Sequence, residues 1–293
     1  MARKADFVPI VVAYLVCLAA AAAVLFAFNL PAPWDALIAD IVATVVIFGF
    51  SRAYRNSSFY DAYWSVIPPL LAGYWMAGAP TMASDPRAWI VQILVWLWAI
   101  RLTTNWSVYW GGLQHEDWRY PIVRARAGRA APLADLFGIH LFPTLQVFLG
   151  CLPIYAVMQF GANVPLGPLD FLACLVTLGA IAIELIADVQ LHAFIARRTP
   201  GTFIDSGLWA WSRHPNYFGE LSFWWGLMLF GLAVAPDRWW WIAPGALAMT
   251  LMFVFVSVPF MDQRSVERRP AYREHMRRVS ALLPLPPKRR ASA

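Results

Sequence analysis

Nine consecutive residues, Ser212-Arg213-His214-Pro215-Asn216-Tyr217-Phe218-Gly219-Glu220, place a guanidinium, an imidazole, an amide, a phenol and a carboxylate in one short stretch. A loop-to-helix junction that is only structural needs one capping side chain and at most a proline. This run carries far more hydrogen-bonding capacity than a cap uses, and it lies where a charged loop enters an apolar segment. It reads as a site for a large polar ligand at a membrane surface.

Further polar groups stand where apolar sequence should be. Ionisable residues inside or at the ends of membrane segments are costly and mark function; here they are Asp40, Asp61, Arg101, Glu184, Asp188, Glu220 and Asp262. Most fall toward the same side of their segments, as a cytoplasm-facing cavity requires. Glu184 and Asp188 are four apart and share a helix face that His192 continues. Two carboxylates on one face suit hydroxyl or amine groups, a metal pair or an ion-coupling site. No ligand spacing around them supports a metal, and none is expected. Arg101 and Asn105 form a similar pair. Asp61, flanked by Tyr60 and Tyr63, is a carboxylate beside phenols, a set suited to proton donation; capping of a helix begun by Ser57-Ser58 is its plainer use. In His115-Glu116-Asp117-Trp118-Arg119-Tyr120, an arginine between two aromatics suits a nucleotide's phosphate and ring as well as a membrane interface.

These groups need apolar helices to position them. The 293 residues are 60% hydrophobic and only 14% charged, with mean hydropathy +0.55, against about 25% charged in soluble domains. Continuous rather than alternating apolar runs select helices over a barrel. About eight segments of spanning length are predicted, over 8–29, 34–51, 59–78, 88–108, 136–160, 168–195, 218–235 and 239–261. The shortest, 218–235, leaves seven spans open. The expected fold is an all-α polytopic membrane helix bundle, a single integral domain over 1–293, with a cofactor-binding region at 180–285, a substrate and proton-donor half at 59–121 and a basic tail at 286–293.

With the N-terminus in the cytoplasm, that side collects Arg3, Lys4, Arg52, Arg55, Arg119, Arg124, Arg126, Arg129, Arg197, Arg198, Arg213 and the tail from Arg264 to Arg290, leaving Arg87 and Arg238 opposite. This asymmetry places both termini in the cytoplasm. The net charge of +6 then faces anionic lipid and any anionic cytosolic ligand. Trp239, Trp240 and Trp241 mark the far interface. Cys17, Cys151 and Cys174 lie scattered in apolar runs, as small buried hydrophobes.

Basic loops with embedded carboxylates suit a ligand bearing phosphates and sugar hydroxyls, a nucleotide cofactor more than an inorganic ion. Neither a dinucleotide-binding glycine fingerprint nor a P-loop is present, so helix ends and loops at the membrane must hold it. Nothing points to nucleic acid.

The stretch from Gly207 to Glu220, with Tyr60 to Ser65 and His115 to Tyr120, resembles the steroid 5-alpha-reductase family, most closely its bacterial branch of unassigned function. The resemblance is strong over 180–285 and moderate over 59–121. It implies a bundle of membrane helices in a bacterial inner membrane, holding NADPH in a cytoplasm-facing cavity and reducing the 4,5 double bond of a 3-oxo-4-ene steroid or similar lipophilic enone. Asn216, Glu220 and Asp188 match cofactor-binding positions, and Glu184 stands where the steroid reductases carry Asn. Arg197 or Arg198, before Pro200-Gly201, matches a phosphate contact, and Arg119 resembles another. Asp262 and Arg264 fall where the last helix adds contacts. Arg101, Asn105, Arg213, His214 and Tyr217 complete the candidate cofactor set. The family holds the substrate ketone with a Glu and a Tyr. Asp61 matches the Glu; Trp98 stands nearest the Tyr position, so Tyr63 or Tyr109 is the expected substitute. Hydride transfer to the beta carbon would leave negative charge on the carbonyl oxygen, for a protonated Asp61 or an adjacent tyrosine to stabilise.

Two other readings share features. The isoprenylcysteine carboxyl methyltransferases carry an Arg-His-Pro-x-Tyr element and bind S-adenosylmethionine. An ion-coupled transporter would use Glu184, Asp188 and Asp40. The Asn216 to Glu220 spacing favours the reductases, and no paired broken segments support a transporter.

Overall fold

Backbone groups in lipid find partners only within their own helix. The computed structural model, which describes residues 3–28 and 30–288, is accordingly helical: among the described residues no strand forms, and β-pairing is confined to a parallel bridge between Ser212 and Ser280. The chain divides into two compact units, Met1–Asn163 and Val164–Ala293.

The first unit contains α1 (Lys4–Ala27), α2 (Trp34–Tyr54), α3 (Tyr63–Ala77), α4 (Pro86–Tyr109) and a continuous helical run α5 (Arg119–Phe160). α4 starts where the chemistry of its first residues dictates: Pro86 fits a first helical position, and Asp85 accepts from the backbone of Arg87 at 2.7 Å. α1 packs on α2, and α3 on both α4 and α5. α5 widens into a π-helical stretch, Asp135–Leu141, which packs on α2.

The second unit contains α6 (Pro168–Arg197), α7 (Pro215–Val234), a run α8 (Pro236–Arg268) with a π-helical stretch at Phe253–Ser257, and α9 (Tyr272–Arg278). α6 and α7 lie in close contact because two glycines of α7, Gly219 and Gly226, face α6. A Cβ on Gly219 would overlap the side chain of Glu184 and come within 3.0 Å of the Ala180 carbonyl; one on Gly226 would strike Thr177.

Six of these runs, α1, α2, α5, α6, α7 and α8, are long and apolar enough to cross a membrane. Helices of this kind mark an integral membrane protein. The predicted short segment, 218–235, falls in α7, whose 20 residues suffice. Segments 59–78 and 88–108 also fold as helices but lie outside the six. α3 has 15 residues, about 22 Å of helix, and the apolarity of α4 is diluted by Gln92, Arg101 and Asn105. Cys17 and Cys151 are buried and Cys174 is half-buried. Trp239 and Trp240 are exposed beside the Pro236–Arg238 turn. Arg289 and Arg290 of the basic tail lie outside the described residues.

Candidate functional site

In the first unit the two polar motifs are joined to each other. Glu116 Oε1 accepts from the backbone of Ser57 at 2.7 Å, the backbone of Asp117 donates to Ser58 Oγ at 3.2 Å, and Tyr120 donates its phenol proton to Asp61 Oδ1 at 2.5 Å. Asn56 donates to the carbonyls of Leu113 and His115 at 2.8 and 3.1 Å. Four of these contacts join residues a constant 59 apart in sequence, so the two segments run alongside each other in register. Arg124 holds Glu116 from the other side and reaches Asp135 at 3.4 Å, while Ser57 Oγ donates to Asp135 at 2.9 Å. Asp61 is therefore not the local cap. Asn56 caps the turn Ser57–Phe59 by accepting from the backbone of Ser58 at 2.8 Å, because it precedes the turn and Asp61 follows it.

Beneath this clasp lies a buried set of hydroxyls and one acid. Tyr63, 2% exposed, donates to Asp40 Oδ1 at 3.0 Å. Thr144 gives its single proton to the carbonyl of His140 at 3.0 Å, so it must accept from Thr44 at 2.9 Å and from Tyr60 at 2.8 Å. His140 bonds Ser51 through Nε2 at 3.0 Å. The expected substitutes for the family's tyrosine thus separate: Tyr63 is committed to Asp40, and Tyr109 is exposed at the end of α4. The phenol that meets Asp61 is Tyr120, from the His115–Tyr120 motif whose composition suits a membrane interface and a nucleotide equally. Trp98 is fully buried against Trp64, with ring centroids 5.7 Å apart. Arg101 and Asn105 are half-buried on α4. Asp117 grips the exposed Arg119 through Nε at 2.8 Å and Nη2 at 3.1 Å.

In the second unit the predicted carboxylate face of α6 meets the first turns of α7. Asn216 donates to Asp188 Oδ1 at 3.4 Å, and Gly219 lies against Glu184. Glu184, Asp188 and Glu220 are all buried, and Glu220 accepts from the indole of Trp224 at 2.8 Å. The loop after α6 folds back on the same helix. Gly207, at φ +60, brings the backbone of Leu208 to Gln190 Oε1 at 2.9 Å, and Trp209 donates to the Ala187 carbonyl at 3.1 Å. A positive φ at this turn is why glycine stands there. Arg197 and Arg198 are exposed at the end of α6, and Arg264 is half-buried on α8.

Three other predicted contacts form a cluster of their own. Asp262 accepts from Arg213 Nε at 3.2 Å and Nη2 at 2.7 Å, and from Tyr272 at 3.3 Å. A carboxylate only accepts, so His214 Nε2 carries the proton in its 3.0 Å bond to Asp262. The His214 ring stacks on Tyr217, with centroids 5.3 Å apart and planes 13° from parallel.

Chemically, the α6–α7 face offers acceptors for hydroxyls and an amide that can both donate and accept, and Asp61–Tyr120 offers an acid–phenol pair. A family model described as "Protein of unknown function (DUF1295)" matches residues 47–279, which covers both motif regions. The chain belongs to this DUF1295 family. It is also 27% identical, over 271 residues, to an uncharacterized protein of the fission yeast Schizosaccharomyces pombe, across 85% of this chain and 78% of the yeast protein. No solved structure matches.

Proposed function

We propose that this DUF1295 protein is a membrane-embedded, NADPH-dependent reductase of a lipophilic enone, such as the 4,5 double bond of a 3-oxo-4-ene steroid. The observation that carries the reading is the contact of Asn216 with Asp188, alongside Gly219 against Glu184. Positions that the resemblance to the steroid 5-alpha-reductases ties to the cofactor thereby meet on one α6–α7 face.

The donor set fits the group. A nicotinamide carboxamide presents both a donor and an acceptor, which the Asn216 amide can answer, and ribose hydroxyls can donate to Asp188 and Glu184. Exposed Arg197 and Arg198 suit phosphates, which guanidinium groups bind in bidentate fashion. When bound, the cofactor supplies the hydride. The chain holds and orients it, keeps water from the buried acids, and offers a proton. Asp61 and Tyr120 are the donor pair for a carbonyl oxygen that gains charge, the role of an oxyanion hole. In this reading the arginine-rich segment ends and both termini face the cytoplasm, where the cofactor is available, and substrate enters laterally from lipid.

The test is a thermal-shift titration of the purified protein in detergent with NADPH, NADH and S-adenosylmethionine, since a ligand that binds the native state alone must stabilise it. A rise with NADPH supports the reading and opens a screen of 3-oxo-4-ene steroids for NADPH oxidation. A rise with S-adenosylmethionine alone replaces it with a methyltransferase.

A further inference from the structure

The Arg213 guanidinium makes four hydrogen bonds within the second unit, which leave little for a ligand. Nε and Nη2 fork onto the two oxygens of Asp262, and Nη1 donates to the carbonyls of Met276 at 3.2 Å and Val279 at 2.6 Å. The side chain of Arg213 is 10% exposed and that of Asp262 is 7%. A phosphate reaching this guanidinium would have to displace Asp262, leaving a buried carboxylate without its charge partner, a strongly unfavourable exchange.

The backbone repeats the same connection. The N–H of Arg213 donates to the Ser280 carbonyl at 2.9 Å, that of Leu285 to Trp211 at 3.1 Å, and Ser212 Oγ to the Ala281 carbonyl at 3.3 Å. Residues 211–213 and 280–285 thus form a short tie. His214 stands immediately before α7 and is fixed on Asp262; its ring stacks on Tyr217, which in turn meets Phe253 edge-on at 4.8 Å. The first turn of α7, which carries Asn216, is therefore set from α8, α9 and the segment that follows.

We infer that Arg213 and Asp262 are a positioning pair: through them the C-terminal segment 272–285 fixes where α7 begins and so holds Asn216 against Asp188. Cofactor phosphates fall to other cations. This inference rests on the reading of the Asp188–Asn216 face as a nucleotide site, and it moves Arg213, His214 and Asp262 from contact to support.

The test compares the full-length protein with Arg213→Lys, Asp262→Asn and Tyr272→Phe, measuring Kd for NADPH and for NADH by tryptophan fluorescence, and Tm for each. Positioning predicts that Arg213→Lys and Asp262→Asn weaken both nucleotides by one common factor, about tenfold or more, with the NADPH-to-NADH ratio unchanged. Tyr272→Phe removes one bond to Asp262 without burying a new polar group, so it keeps the fold and shows a smaller common loss. A narrowed ratio in Arg213→Lys with NADH binding intact would place Arg213 on the phosphate and overturn the inference, as would wild-type affinities in Asp262→Asn and Tyr272→Phe. If the wild-type protein binds neither nucleotide, the nucleotide reading fails and hydrogen exchange decides the support role alone. Protection lost together over 212–219 and 280–285 in Asp262→Asn sustains it; loss in one segment only refutes it.

Discussion

The phenol of Tyr120 donates to the carboxylate of Asp61 at 2.5 Å, across 59 residues of sequence. The bond unites an acid and a phenol from two motifs that are each ambiguous alone. It also follows from the register of the whole clasp, because the neighbouring pairs Ser57 with Glu116 and Ser58 with Asp117 hold the two segments in line.

If this pair is the proton donor, Tyr120→Phe and Asp61→Asn should each lower turnover by about a hundredfold or more, the usual contribution of a positioned acid. Affinity for NADPH should hardly change, since neither residue belongs to the Asp188–Asn216 face that this reading gives to the cofactor. Steady-state kinetics with the enone found by screening, beside a direct NADPH titration, separates the two effects. An equal loss in both quantities would remove the pair from the reaction.

Gly219→Ala should damage stability and site together. The added methyl overlaps Glu184 and approaches the Ala180 carbonyl at 3.0 Å, so α6 and α7 must separate, at a cost of about 1–3 kcal/mol typical of overpacking. A lower Tm with a reduced NADPH-induced shift is the expected result. Gly179→Ala, inside α6 where a Cβ meets nothing within 4 Å, is the control: the NADPH-induced shift should stay as it is and Tm should hold or rise slightly, since Ala favours a helix interior over Gly.

Arg124 is held by Glu116 and Asp135 at the root of the clasp. Arg124→Met should destabilise the first unit by about 1–3 kcal/mol, because Glu116 loses its ion pair and the buried Asp135 carboxylate keeps only Arg52, at 3.6 Å, as a cation beside the Ser57 hydroxyl. Thermal unfolding in detergent reads the change. Hydrogen exchange should show earlier opening of 56–61 and 113–120 than of α1.

Stability should fall in mild acid through His275 on α9. Burial pushes its pKa below the ordinary histidine value, with Arg213 and Arg278 adding to the shift and Asp205 and Asp262 opposing it. The unfolded chain, with an ordinary value of about 6.5, then binds more protons in the window below it. This contribution is complete above that pH and declines as the pH falls. Tm measured at neutral pH and in mild acid should show the loss, and His275→Gln should make it smaller.

Much of the molecule is legible from its sequence, because lipid makes the rules local. Apolar runs must be helices, and each predicted segment is one. The Glu184–Asp188 spacing sets a single face on α6, and that face meets α7 at Asn216 and Gly219. Polar residues within apolar sequence located both clusters. The less legible part is which polar group answers which. Arg213, His214 and Asp262 have the composition of an anion site, yet they satisfy one another. Tyr63 stands two residues from Asp61 but turns to Asp40.

Hydrophobicity, helical period and capping act over a few residues, so the helical class, the apolar runs and the two stretches where polar chemistry collects follow from the order of the residues. The pairings come from the packed fold: Tyr120 with Asp61, Asp40 with Tyr63, Asn216 with Asp188, and Asp262 with Arg213, which lie 59, 23, 28 and 49 residues apart. Such contacts depend on how each helix is rotated about its axis and where it starts. Those are set by the packing of glycines, π-turns and ties far along the chain, and no local pattern encodes them.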